Sequence, residues 1–200
     1  MRQGSFKDAH QFTAKWEGGI SDHPNDRGGV TAYGASIKFV RDDVASTSSG
    51  RNFLQAIGVS LPITRETILA LKPEQVAAMF RREFWDALRL DELPFRHAAL
   101  LYDAAVNSGR TQAVKLSQRG YNRCVGPQGV KLDEDGLIGP LTRKALQNTD
   151  TDAVVRAIIE ARRDFYRAIV ERTPAQRVFL KGWLNRADDL EKLLLGKETA

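Results

Sequence analysis

Apolar residues recur at helical spacing through most of this chain, with two interruptions. Phe6, Ala9, Thr13 and Trp16 share one face, Ser5 with Asp8 three residues later offers an N-cap, and Gly18-Gly19 offers a stop. The spacing predicts a first helix that carries Glu17 on its last turn. The first interruption comes at once, where two glycine pairs, Pro24 and several small polar residues predict an irregular open loop. A short helical pattern around Ile37, Phe39 and Val40 then gives way to Ala45-Ser46-Thr47-Ser48-Ser49-Gly50, which has loop chemistry. Residues 35–63 therefore read as an inserted surface excursion rather than a flap.

From Thr64 the pattern is strongly helical. Ile68 and Leu71 come first, and Pro73 opens a helix whose Val76, Met79, Phe80 and Phe84 share a face. An alanine-rich helix over 98–109 and another from Thr111 to about Asn122 come next. The second interruption, 126–139, is too short and too apolar at Val130, Leu132 and Leu137 for a flexible tether, so the C-terminal part is expected to dock. Pro140 opens the next helix. Two long ones finish the chain, one with Val154, Ile158, Phe165 and Ile169 inward, the other opened by Thr173-Pro174-Ala175-Gln176 and with Phe179, Trp183 and Leu190 spaced like core. The expected architecture is mostly α, with a small irregular or β-hairpin loop near Glu17 and a C-terminal helical hairpin. The expected parts are 1–125 and 126–200.

Composition narrows the class. The chain has 200 residues, 42% of them apolar, enough for a real core. Its 30 basic and 25 acidic residues give +5, a charge that favours polyanions without choosing among them. The basic stripe Arg156, Arg163, Arg167 is interleaved with Glu160 and Glu171 and reads as a solvated face, and no nucleic-acid reader motif is present. Cys124 is the single cysteine, so no internal disulfide forms, and it is expected to be small and buried. The three histidines have no ligand spacing, and no phosphate-cradling glycine loop occurs, so neither a metal nor a cofactor is expected. No apolar run has signal-peptide or membrane-spanning length, which leads us to expect a monomeric chain made in the cytoplasm.

The chemistry concentrates after the first helix. Trp16 and the negative end of the helix dipole both disfavour an ionised carboxylate at Glu17, which suits a general acid. Asp26 and Thr31 come next, across the glycine-rich loop, at a spacing suited to cleaving a sugar chain, with Thr31 able to hold a water. A solvated helix end and a polar loop after it fit the same spacing equally well. Further on, Asn107 offers a donor and an acceptor just before Gly109, with Asp103 one turn earlier. Both can instead bond to backbone.

The run Glu17-Gly18-Gly19, Pro24-Asn25-Asp26-Arg27-Gly28-Gly29, Thr31 and Tyr33-Gly34 resembles the signature of glycoside hydrolase family 108, the N-acetylmuramidases of phage endolysins and related bacterial enzymes. The segments Phe84-Trp85-Asp86 to Pro94, Asp103 to Gly109, and Phe179 to Trp183 resemble it too, whereas Ala35-Ser36 depart from its usual Ile-Thr. The resemblance implies a lysozyme-like fold, Glu17 as catalytic acid, Asp26 and Thr31 as helpers, and Tyr33, Trp85, Asp103 and Asn107 as sugar contacts, although an indole at Trp85 is more commonly packed against the next helix. It also implies peptidoglycan as the partner, reached in the periplasm or wall after release from the cytoplasm. Asp135-Gly136-Leu137-Ile138-Gly139-Pro140 resembles the turn of peptidoglycan-binding modules. A calcium loop is disfavoured there, because Lys131 and Thr142 occupy key ligand positions. A lytic transglycosylase and a non-catalytic wall-binding module of a phage particle remain as alternatives.

Overall fold

The computed structural model describes residues 3–22 and 29–196. It is mostly helical with one small antiparallel sheet, as the sequence predicts. Two compact units are formed, one of His10–Ala87 and the other of residues up to Ala9 with those from Leu88 onward. The expected division after residue 125 falls within the second.

The first helix, α1, runs Phe6–Glu17, and the Ser5 hydroxyl accepts from the Asp8 amide at 3.4 Å, as a cap should. Ala9 and Thr13 are buried on its predicted inner face. In the His10–Ala87 unit, α1 leads to strands β1 (Ile20–Ser21), β2 (Thr31–Ala32) and β3 (Ala35–Ser36). Residues 35–63 are packed structure, not a surface excursion. A π-helical turn at Phe39–Asp43 and a 3-10 turn at Val44–Ser46 lead into α2 (Ser48–Ala56), and Val40, Val44, Leu54 and Val59 are buried. The residues with loop chemistry turn out to start this helix: the Thr47 hydroxyl accepts from the Gly50 amide at 3.0 Å, so threonine acts here as a cap. A Cβ at Gly50 would lie 1.7 Å from the Val44 carbonyl oxygen, so only glycine fits. Beyond α3 (Arg65–Leu69) and α4 (Pro73–Phe80), a π-helical turn at Arg81–Asp86 places Phe84 in a stack on Phe39, with centroids 5.6 Å apart.

The other unit is a helical assembly of α5 (Phe95–Ser108), α6 (Arg110–Cys124), α7 (Pro140–Asn148), α8 (Asp152–Arg172) and α9 (Arg177–Leu195). The backbones of α6 and α8 nearly touch, since a Cβ at Gly120 would lie 2.5 Å from Ile158 backbone atoms. The 126–139 segment does dock, though mainly through polar groups. Gln118 on α6 donates to Asp135 at 2.8 Å and accepts from the Gly136 amide at 3.0 Å, while Asn122 exchanges two 2.8 Å bonds with the backbone of Leu132. Leu132 is buried, but Val130 and Leu137 are exposed, so the apolar docking expected of all three holds for one. Asp135 is committed to the Leu137 amide and Gln118, which hold its carboxyl below the usual range.

Three further expectations are corrected. Cys124 is exposed, because it falls at the very end of α6. Phe179 is 54% exposed despite its core-like spacing. The basic stripe is not simply solvated: Arg163 bridges to Asp188 and Glu191 on α9 and to Glu160, and Arg156 also pairs with Glu191. These contacts tie α8 to α9.

His97 on α5 is buried beside Arg96 and Asp150, and burial lowers its pKa below the ordinary 6.5 while the Asp150 charge opposes this only partly. The folded state thus favours the neutral ring, and its contribution is complete above the unfolded value. It falls away as pH drops below about 6.5, when the unfolded chain takes up a proton that the folded chain resists. His10, lowered by burial as well, acts in the same direction. Urea unfolding should show stability falling as pH is lowered from roughly 7.5 to 5, with a shallower slope in His97→Gln.

Candidate active site

Glu17 is the last residue of α1, and the chain reverses after it through Gly18 at φ 73°. Strand β1 then pairs antiparallel with β2, Ile20 facing Ala32 and Ser21 facing Thr31. Between β2 and β3 stand Tyr33 and Gly34 with φ of 52° and 88°, the two positive values that a type I′ turn requires. The Tyr33 amide donates to the Gly19 carbonyl at 3.0 Å, which lays the turn over the end of α1.

Glu17 and Gly34 are consequently in direct contact. A Cβ at Gly34 would lie 2.7 Å from Glu17 Cβ and 2.8 Å from its Cγ and Oε2. Glycine here supplies both the backbone angle and the space for the carboxylate. Gly34→Ala should therefore displace Glu17 and strain the turn, costing about 1–3 kcal/mol of stability and most of the activity. A variant with wild-type turnover would show that the contact has no part in positioning Glu17.

Thr31 faces Ser21 on one side and Ser36 on the other, so three hydroxyls cross one face of the sheet. The Thr31 hydroxyl donates to the Gly29 carbonyl at 3.4 Å and keeps acceptor capacity for a water. Ser36 caps the next helical turn, accepting from the Phe39 amide at 3.1 Å. The beginning of the loop is anchored by Arg65, which ion-pairs with Asp22 across 43 positions of sequence. Nothing local in the sequence signals that pair.

Within the His10–Ala87 unit, Glu17 at the end of α1 thus lies under the turn that holds Tyr33, with Thr31 on the strand leading into that turn, each half-buried. Asp26 lies outside the described residues. Trp85 belongs to the same unit but is 0% exposed within its π-helical turn, so its indole offers no face to a sugar.

Asp103 and Asn107 lie on α5 in the other unit. Asp103 is 1% exposed, and its carboxylate binds Arg162 of α8 at 2.6 Å and Arg186 of α9 at 2.7 Å. Burial alone would raise this carboxyl, but the two guanidinium groups overcome it and hold it below the usual carboxylate range. The expected sugar contact is instead a charge link between three helices. Asn107 is half-buried, and its Oδ1 accepts from the Tyr166 hydroxyl at 2.7 Å and from Ser108 at 3.0 Å. Arg162, Arg186 and Tyr166 were invisible to local pattern reading, since the first two look like surface charges on amphipathic helices. Among the described residues, no group of histidine, cysteine and carboxylate side chains is placed to hold a metal.

This mostly helical architecture with its small antiparallel sheet is a lysozyme-like fold. Residues 10–109, half of the chain, match the family described as Glycosyl hydrolase 108, and the chain belongs to that family. Residues 112–188 match a second one, described as Predicted Peptidoglycan domain. No curated protein matches the chain. Among solved structures it is similar to one titled "Structure of Brucella abortus SagA", at 24% identity and TM-score 0.70, covering 98% of this chain and 96% of that one. That likeness is one of fold. The protein is a glycoside hydrolase, a muramidase acting on peptidoglycan.

Proposed function

We propose that Glu17 is the general acid that cleaves the β-1,4 bond between N-acetylmuramic acid and N-acetylglucosamine. The observation that carries this is the contact between Glu17 and Gly34, which fixes one carboxylate at a helix end beneath a glycine-bearing turn, with Thr31 on the strand that leads into that turn. Protonated Glu17 donates to the glycosidic oxygen as the bond to the sugar carbon breaks, and water adds at that carbon. Thr31 orients the water, Asp26 stabilises the positive charge at the sugar carbon, and Tyr33 lines the groove. The enzyme works as a monomer, without metal or cofactor. Synthesis in a host cytoplasm and release to the periplasm or wall, as in a phage endolysin with bacteriolytic action, fits the basic charge and the wall substrate.

Mass spectrometry of fragments released from purified peptidoglycan tests the reading. Hydrated muramic acid reducing ends are the expected product. Anhydro ends would make the protein a lytic transglycosylase, and hydrated N-acetylglucosamine ends would move the cut to the other bond.

A further inference from the structure

We propose that Asn107, Tyr166, Trp183 and Phe179 form a binding subsite for an acetamido sugar, oriented from beneath by the buried Arg162. The inference rests on peptidoglycan as the substrate but not on Glu17 as the acid.

The hydrogen-bond chain decides which way Asn107 faces. Arg162 Nε can only donate, and it donates to the Tyr166 hydroxyl at 2.6 Å. The tyrosine oxygen is thereby used as an acceptor, so its own hydrogen is directed to Asn107 at 2.7 Å, and the group receiving it must be Oδ1. The Ser108 hydroxyl donates to the same oxygen. The Nδ2 group, which makes no hydrogen bond among the described residues, is left with two N–H donors on a half-buried side chain. Arg162 cannot shift to relax this arrangement, because Asp103 holds it at 2.6 Å in a position 2% exposed.

Tyr166 also begins an aromatic row. Its ring stacks on Trp183 at 5.3 Å and 27°, and Trp183 stacks on Phe179 at 5.9 Å and 29°. Tyr166 is buried, Trp183 half-buried and Phe179 54% exposed, so the row runs from the core to solvent. Gly182 beside it has open space where a side chain would stand, which leaves this stretch of α9 unobstructed.

One tyrosine therefore sets an amide donor next to rings already fixed in place. A pyranose presents an apolar C–H face and, two bonds off the ring, an acetamido carbonyl, and this pairing of surfaces matches both. Both sugars of peptidoglycan carry that acetamido group. Because rings and amide are held before binding, little rotamer freedom is lost on association. Tyr166 and Arg162 are positioning residues, whereas Asn107, Trp183 and Phe179 touch the sugar.

The test uses the full chain with Glu17→Gln, so that binding is read without turnover. Tryptophan fluorescence is titrated with chitotetraose, which carries acetamido groups, and with cellotetraose, which has hydroxyls in their place. Chitotetraose should bind about fivefold to tenfold tighter. Asn107→Ala and Tyr166→Phe should each abolish that preference, and Phe179→Ala should weaken both ligands about tenfold while thermal unfolding remains cooperative. Tyr166→Phe keeps the stacked ring, so a purely structural role would leave the preference unchanged and overturn the proposal. Equal affinity of the Glu17→Gln protein for the two sugars, or binding to anionic lipid vesicles that Phe179→Ala abolishes while sugar binding persists, would overturn it as well. Reducing-end release by the wild-type chain, measured separately, shows whether the muramidase reading of Glu17 stands or fails on its own.

Discussion

Glu17→Gln is expected to lower reducing-end release from purified peptidoglycan by at least about a hundredfold, the contribution typical of a positioned acid. Glutamine matches the carboxyl in shape, so the Gly34 contact is preserved while the proton donor is lost. Cooperative urea unfolding of the variant checks that the fold is retained. Thr31→Ala should cost less, because its hydroxyl neighbours on either side, Ser21 and Ser36, can still hold water. A Glu17→Gln variant with more than a tenth of wild-type turnover would remove Glu17 from the proton-donating role.

Asp103→Ala is expected to be the most destabilising single substitution in the protein, by about 3–5 kcal/mol, since it removes the buried carboxylate that two guanidinium groups share. The direction of the Asp103 shift sets the pH dependence. A carboxyl held below its unfolded value contributes fully at neutral pH, and that contribution is lost only as strong acid protonates the folded state. Urea midpoints of wild type and variant should therefore differ most near neutrality and converge toward low pH. Combining Asp103→Leu with Arg162→Met and Arg186→Met should recover much of the loss, because a well-packed apolar trio carries no desolvation cost. A single-variant loss below about 1 kcal/mol would show that water reaches these arginines.

Much of this fold was legible because its helices announce themselves locally. The Ser5 cap, the stop after Glu17, the start at Pro73 and the turn at Pro140 arise from side chains acting within a few positions of themselves. The type I′ turn was half legible, through the Tyr33-Gly34 pair. Residues 35–63 were misread for a physical reason: serine, threonine and glycine suit loops and helix N-termini alike, and what decided for α2 was the close approach of Gly50 to Val44. The same limit applies to the site. Glu17 was singled out by its neighbours in sequence, whereas Asp103 was misassigned because its partners Arg162 and Arg186 arrive from far along the chain. The Trp85 motif left sugar contact and packing both open, and full burial of the indole in its π-helical turn decides for packing.

The Asp103 link also bears on how the protein can be shortened. A chain cut after Cys124 would keep Asp103 and lose both arginines, stripping α8 from α6 and leaving Asn107 without Tyr166. Such a fragment would expose the apolar side of α5 and α6 and should aggregate on expression. The C-terminal helices are therefore not a detachable targeting tail. Exchanging wall-recognition segments between enzymes of this kind would succeed only if the graft carried an arginine pair in register with the resident aspartate.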